Sequence, residues 1–280
     1  MPELAYLNGE IMALSEAKVP IEDRGYQFGD AVYEVIVGHK GRLFALEPHM
    51  DRLMRSMSEL GFPKLNRHDV AKEIDRFYQA CELPEAMVYV QISRGVSPRN
   101  HSIPKGLTPQ ISMTAKPVHA LEREYRENGI RTITFEDIRW GRCDIKATLL
   151  LPNTLAKQAA KRAGCFDAIF VSKEGVVREA TSSNVFVIKD GVMFTHPLTH
   201  NILPGITRGL MIEQCNGAGI AVREEFFDID FLLNADEVFL TGTLTEILSV
   251  VEIDGRKIGE GKPGPYSRKI DMMLQESMFA

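Results

Sequence analysis

Apolar and polar positions along the chain change period several times, and each change marks out an element. Ala5-Tyr6-Leu7 and Glu10-Ile11-Met12 flank Asn8-Gly9. Both central positions of a type I′ turn need positive φ, so this pair predicts a hairpin. Asp30 to Val37 is rich in Val, Ile and Tyr and reads as a strand, after which Lys40-Gly41 turns the chain into a further extended run, Arg42–Leu46. From Glu47 the period lengthens. Leu53, Met57 and Leu60 recur at helical spacing, Pro48 fits the first turn and Gly61 marks the stop. Asn66 with Asp69 predicts a capped second helix over 67–81, and Met87–Ser93 and Gln110–Thr114 read as buried strands.

Residues 117 to 130 are polar and charged and predict a linker or short helix. Beyond them Ile130–Phe135 alternates as a strand, and Asn153–Ala163 reads as a helix ended by Gly164. Two hairpins follow. Ala168–Val171 and Val176–Arg178 turn at Glu174-Gly175, and Val185–Ile188 and Val192–Thr195 turn at Asp190-Gly191. A helix opens after Pro204-Gly205 and runs to about Gly217. Asp236–Leu240 and Leu248–Ile253 read as strands, Asp254-Gly255 as a turn, and a last helix starts near Pro265. The pattern predicts an α/β (α+β) chain of two domains: a small one over 1–117, a linker over 118–130, and a larger one over 131–280. The many short strands of the larger domain suggest a barrel-like sheet.

Composition narrows the classes. The chain has 280 residues, 44% hydrophobic and 25% charged, which suits a soluble globular protein. A net charge of −5 argues against a nucleic-acid or anionic-membrane partner. Cys81, Cys143, Cys165 and Cys215 are widely spaced, with no C-x-x-C pair, so neither a metal site nor a disulfide framework is expected. Met1–Ala5 lacks a basic, apolar leader and no apolar run approaches a membrane span, so a cytoplasmic protein is expected.

Several stretches carry candidate chemistry. Lys146 stands between Ile145 and Ala147, just ahead of Leu149-Leu150-Leu151. A lysine against an apolar wall holds its proton poorly, and a neutral amine forms Schiff bases with carbonyls. Taken alone, it reads more simply as a solvated lysine at a strand end. Asp23–Asp30 packs two glycines and two aromatics into a tight loop, and Tyr33 just after it offers an O–H for a carboxylate or phosphate. Arg52 lies on the first helix, and its fork suits a phosphate. Arg99 and His101 alternate in a loop and, if extended, point the same way as a cationic site for a small carboxylate. Glu179 opens a run of small hydroxyl residues, Thr181-Ser182-Ser183, and a carboxylate here would keep a pyridine nitrogen protonated. Leu203-Pro204-Gly205-Ile206-Thr207 opens a helix whose first N–H groups make an anion site, and Thr241–Glu246 adds a second nest around Thr243.

Together these strings resemble the fold-type IV pyridoxal-phosphate aminotransferases, with the nearest likeness to the D-amino acid aminotransferases. The likeness rests on Glu22–Asp30, His49–Leu53, Arg94–His101, Glu136–Lys146, Glu179–Phe186 and Ile202–Arg208, in family order from about residue 5 to 270. It implies a small α/β domain joined to a pseudo-barrel domain, as a homodimer with pyridoxal 5′-phosphate between the domains. Lys146 is then similar to the Schiff-base lysine that also moves the substrate proton, and Glu179 to the partner of the pyridine nitrogen. Arg52, the N–H groups of Ile206 and Thr207, and Thr243 are similar to the phosphate cup, and Leu203 to the residue under the ring. Tyr33, Arg99 and His101 are similar to the trap for the substrate carboxylate, with Arg99 and His101 reaching across from the partner subunit.

The activity implied is ping-pong amino transfer between a D-amino acid of the D-alanine or D-glutamate type and a 2-oxo acid such as 2-oxoglutarate. Gly242 and Leu244 depart from the hydroxyl residues expected of the D-enzymes, and the glycine leans towards the branched-chain L-amino acid aminotransferases. The Arg-x-His pair disfavours that alternative, and nothing specific supports an aminodeoxychorismate lyase. Because Lys146 and Glu179 are both present, a non-catalytic relative is disfavoured.

Overall fold

A computed structural model describes residues 3–118 and 123–279. The chain divides into two compact units, Met1–His119 with Ile145–Leu149, and Ala120–Asp144 with Leu150–Ala280.

The first unit is a six-stranded antiparallel sheet carrying helices. Its elements are β1 (Leu4–Leu7), β2 (Glu10–Ala13), α1 (Arg24–Phe28), β3 (Ala31–His39), β4 (Arg42–Leu43), α2 (Leu46–Glu59), α3 (Arg67–Ala80), β5 (Glu85–Ser93) and β6 (Gln110–Pro117). Strand order is β2-β1-β6-β5-β3-β4. The expected hairpin forms, with Asn8 at φ 49° and Gly9 at φ 102°. Alternate residues of β3 and β5 (Val32, Ile36, Val88, Val90, Ile92) are buried, as are Met50, Leu53 and Met57 of α2 and Val70, Ile74 and Phe77 of α3. Both helices pack on the sheet. Tyr33, Val35, Tyr89 and Gln91, the intervening residues, are half-buried. Asn66 caps α3 by accepting from the N–H groups of His68 and Asp69.

Two local expectations change. The extended run Arg42–Leu46 shortens to the two residues of β4, because Ala45 turns into the left-handed region at φ 50° and α2 starts at Leu46. The tight loop at Asp23–Asp30 contains a short helix, α1, capped by the Asp23 carboxylate and stopped by Gly29 at φ 68°. Ile145–Leu149, expected in the second domain, belongs with the first unit. Ala147 bridges Val32 in antiparallel fashion, along the edge of β3 away from β5.

The second unit contains α4 (Arg123–Asn128), β7 (Ile130–Glu136), α5 (Leu151–Arg162), β8 (Asp167–Val171), β9 (Val177–Ala180), β10 (Asn184–Lys189), β11 (Val192–Thr195), α6 (Ile206–Gly217), β12 (Val222–Glu224), α7 (Ile229–Leu233), β13 (Glu237–Gly242), β14 (Glu246–Ile253), β15 (Arg256–Lys257) and α8 (Pro265–Phe279). The linker expected over 118–130 contains α4, and its residues 119–122 lie outside those described. The short elements β12, α7 and β15 had no signal in the apolar pattern.

The nine strands run β12-β11-β10-β13-β14-β7-β8-β9, with β15 added beside β14, and β9 pairs back to β10. That last pairing closes the sheet on itself, as the barrel-like reading expects, and its register partners are Glu179 and Asn184. Strand β7 lies parallel to both β8 and β14, while the hairpins are antiparallel. Ile169, Val185, Val187, Leu240, Leu248 and Ile253 fill the interior. Among the described residues no helix is long and apolar enough to cross a membrane, no His/Cys/Asp/Glu group is arranged to hold a metal, and all four cysteines are free.

Candidate active site

The structure brings Lys146, Tyr33 and Arg52 together around Glu34 in the first unit and Leu203 to Glu179 in the second, while Arg99 and His101 meet on Phe28. In the first unit the centre is Lys146, whose backbone is held on both sides. Its N–H donates to Ser56 Oγ at 3.2 Å and its carbonyl accepts from the Tyr33 N–H at 3.0 Å. Thr148 N–H donates to Ala31 O at 3.0 Å, and its hydroxyl to Gly29 O at 3.1 Å. A lysine at the end of an irregular stretch is thereby fixed to a core strand. Its Nζ lies 4.3 Å from the centre of the Tyr33 ring. The expected apolar wall is absent, since Leu149 and Leu151 are exposed. The neighbour in their place is an aromatic face, which attracts a cation. Tyr33 in turn stacks on Tyr89, with centroids 5.5 Å apart. Tyr89 donates its O–H to Gln91 Oε1 at 2.7 Å, and burial pushes its phenol up to about 12, so it remains a donor.

Arg52 does not stand alone. Its Nε and Nη2 donate to the two oxygens of Glu34, each at 2.8 Å, and His49 Nδ1 lies 2.7 Å from Glu34 Oε2. Glu34 is fully buried. Burial alone would raise its pKa, but Arg52, His49 and Lys146 together lower it to about 2. Burial pushes the His49 imidazole down, against the pull of Glu34. The apolar pattern overlooked Glu34 and His49. A signal was available: a lone carboxylate inside a Val/Ile strand demands a buried partner, and His49 and Arg52 share one helix face.

Arg99 and His101 are exposed and meet on the ring of Phe28. The Arg99 Cζ lies 4.6 Å from its centroid, and the imidazole meets it edge-on at 5.6 Å. Arg24 fastens this region by donating to Asp30 Oδ2 at 2.9 Å and to Asn100 O at 2.8 Å.

In the second unit the centre is Glu179, buried where β9 meets β10. Its Oε2 accepts from Asn184 Nδ2 at 3.1 Å and from the Leu203 N–H at 3.0 Å, and its Oε1 accepts from Arg139 Nη1. Burial pushes the carboxyl up; Arg139 and the Leu203 N–H pull the other way without reversing it. Arg139 also donates from Nε and Nη2 to Asp137, at 2.9 and 2.8 Å, and packs 4.2 Å from the centre of the Phe170 ring. Arg178 adds a bond to Asp137 at 2.7 Å. Burial would raise Asp137 as well, but the two arginines turn its net shift downward. Asn184, Arg139, Asp137 and Arg178 received no role from the sequence, because their meeting depends on separate strands and a connection.

Leu203 is half-buried and its carbonyl accepts from Asn184 at 3.0 Å. The next residues lead into α6, whose N-cap Gly205 has no side chain to offer the N–H groups of the first turn, Ile206 and Thr207 included. A Cβ at Gly205 would lie 2.1 Å from Asn184 Oδ1, so only glycine lets the helix start so near the strand. Thr243 is half-buried in the turn between β13 and β14. A Cβ at Gly242 would meet nothing closer than 3.4 Å, so contact at the Cβ does not require glycine there. The hydroxyls of Ser183 and Thr241 are buried with no hydrogen-bond partner among the described residues.

Comparison with known proteins gives this arrangement its family. The family model for amino-transferase class IV matches residues 31–253. The chain is 43% identical over 274 residues to a D-alanine aminotransferase of Bacillus licheniformis, covering 98% of this chain and 96% of that one. It resembles the solved branched-chain amino acid aminotransferase of Escherichia coli with a TM-score of 0.94 at 29% identity, over 99% and 95% of the two chains. The branched-chain amino acid aminotransferase of Thermobaculum terrenum, solved in its PLP form, gives a TM-score of 0.88 at 26% identity, over 99% and 94%. With matches of this length around a buried carboxylate and an anchored lysine, the chain belongs to the class IV aminotransferases.

Proposed function

We propose that the chain is a pyridoxal 5′-phosphate-dependent D-amino acid transaminase, moving an amino group between a D-alanine- or D-glutamate-type substrate and a 2-oxo acid such as 2-oxoglutarate. The observation that carries the D-amino acid side of the family is the 43% identity to a D-alanine aminotransferase across nearly the whole chain. The second unit suits the cofactor. It offers a buried carboxylate fixed by three donors, a helix N-terminus without a capping side chain, and two buried hydroxyls that lack hydrogen-bond partners among the described residues.

When bound, the cofactor supplies an aldehyde carbon for an amine and a ring that takes up an electron pair. Lys146 Nζ is the amine, and it carries the proton taken from the substrate Cα. Its fixed backbone limits the search of the side chain to its own rotamers. Glu179 would accept from the ring nitrogen, and Leu203 would give the ring an apolar contact. Arg52, oriented by Glu34, would bind phosphate, and so would the N–H groups of Ile206 and Thr207 and the Thr243 hydroxyl. Tyr33, Arg99 and His101 bind the substrate carboxylate, the last two from a partner subunit. Because one site would serve the amino acid and the 2-oxo acid in turn, the kinetics would be ping-pong.

In this reading the protein works as a cytoplasmic homodimer. Ile21, Tyr26 and Ile103 support the dimer: all are exposed apolar side chains in the segments that carry Phe28 and the Arg99–His101 pair. The structural likeness to branched-chain enzymes keeps an L-leucine-type activity as the second reading. One experiment separates the two. The cofactor-loaded protein is mixed with D-alanine or with L-leucine, without acceptor, and its visible absorbance is followed. Discharge of the band by D-alanine alone is expected; discharge by L-leucine alone overturns the D-specific reading.

A further inference from the structure

The hydrogen bonds around Glu179 leave it little acceptor capacity. A carboxylate has about four lone-pair sites, two on each oxygen. Asn184 Nδ2 and the Leu203 N–H take both sites on Oε2, and Arg139 Nη1 takes one on Oε1. One site remains, on the oxygen that Arg139 polarises. Arg139 is itself restrained: Asp137 binds Nε and Nη2, the Asn201 carbonyl accepts from Nη2 at 3.1 Å, and Phe170 covers the plane. Arg178 holds Asp137 from the other side. The four charges, two of each sign, form a closed neutral set.

We propose that Arg139 is a positioning residue for Glu179, leaving its carboxylate a single acceptor site, on Oε1, for a protonated ring nitrogen, with Asp137 and Arg178 holding the guanidinium in that place. The inference rests on the cofactor reading above and assigns a role to residues that reading does not use. A buried ion pair of this kind is poor evidence for stability, since desolvation offsets most of the attraction. A set that costs this much and ends on the cofactor-facing carboxylate points to the cofactor instead. Arg139 also offsets the burial that pushes the Glu179 carboxyl up. Without it the pull against burial weakens and the Glu179 carboxyl shifts further up. Two further titratable groups feel this set: burial pushes the Cys143 thiol up to about 12 and pushes the His196 imidazole down, with Arg178 and Arg139 adding to the latter.

The test uses full-length protein: wild type, Arg139→Met, Arg139→Lys and Asp137→Asn. Each is loaded with pyridoxal 5′-phosphate or with an analogue that has carbon in place of the ring nitrogen. Arg139→Met is expected to weaken retention of the natural cofactor on the order of tenfold to a hundredfold, as for other residues that orient a ligand from behind, and to shift the pH midpoint of its visible absorbance. Lysine should restore part of both. On the carbon analogue, wild type and Arg139→Met should bind equally, because the bond at issue no longer exists. An equal loss on both ligands would make Arg139 structural and overturn the proposal, as would an unshifted midpoint. Should Arg139→Met fail to fold, Asp137→Asn decides: a smaller shift in the same direction supports the role, and none overturns it. Wild-type protein that takes up no pyridoxal 5′-phosphate overturns the cofactor reading itself, a result distinct from all of these.

Discussion

Glu34 shows how one side chain ties stability to function. It is the fully buried partner of both Arg52 and His49, so its removal leaves a guanidinium in the core without its counter-charge. Glu34→Gln should cost about 3–5 kcal/mol, the usual penalty for breaking a buried pair by deleting one member, and should weaken cofactor retention through Arg52. Urea denaturation of the variant measures the first effect. The pH dependence follows from the lowered pKa. Glu34 is held at about 2 against an ordinary value of 4.5. Its contribution is therefore complete above pH 4.5 and is lost as the pH falls towards 2. This makes up about 3 kcal/mol of the acid limb. Glu34→Gln should flatten that part of the curve; an unchanged acid limb would show that other carboxylates govern it.

At the scale of elements, the joint between β10 and α6 is the most constrained. Asn184 opens the strand, bonds Glu179 and the Leu203 carbonyl, and occupies the space that a Cβ at Gly205 would need. Gly205→Ala should displace either the helix start or Asn184, costing about 1–3 kcal/mol as an overpacked site. Cofactor affinity should fall with it, because the Ile206 and Thr207 N–H groups move with the helix. Thermal melts of the apo protein and equilibrium dialysis with the cofactor separate the two losses. A variant with lowered melting temperature but unaltered affinity would remove the α6 N-terminus from the binding site.

Across the whole molecule, the chain path makes the first unit depend on residues far along the sequence. Val32 bridges Ala147, and Ala31 and Tyr33 form hydrogen bonds with Thr148 and Lys146. A fragment ending at residue 118 lacks this segment and exposes the edge of β3. It should be poorly folded and prone to association through that edge, whereas adding a peptide spanning 143–151 should restore order. Circular dichroism with and without the peptide checks this. A fragment that melts cooperatively by itself would show the segment to be dispensable for folding.

Local pattern and composition, taken alone, determined most of the elements. The Asn8-Gly9, Asp190-Gly191 and Glu174-Gly175 turns, the Asn66 cap and the Gly61 and Gly164 stops are local signals, set by φ preferences and by hydrogen bonds within a few residues. Family likeness singled out Lys146 and Glu179 through the order of the strings that carry them. Tertiary structure decided what surrounds them. The wall expected of Leu149-Leu150-Leu151 is an aromatic face from β3 instead, and Arg52 is paired with a carboxylate on a neighbouring strand. Glu179 is held by residues from both sides of a sheet closure. Periodicity reports which face of an element is buried. Which buried charges meet depends on register and strand order, and those are set by packing between residues distant in the chain.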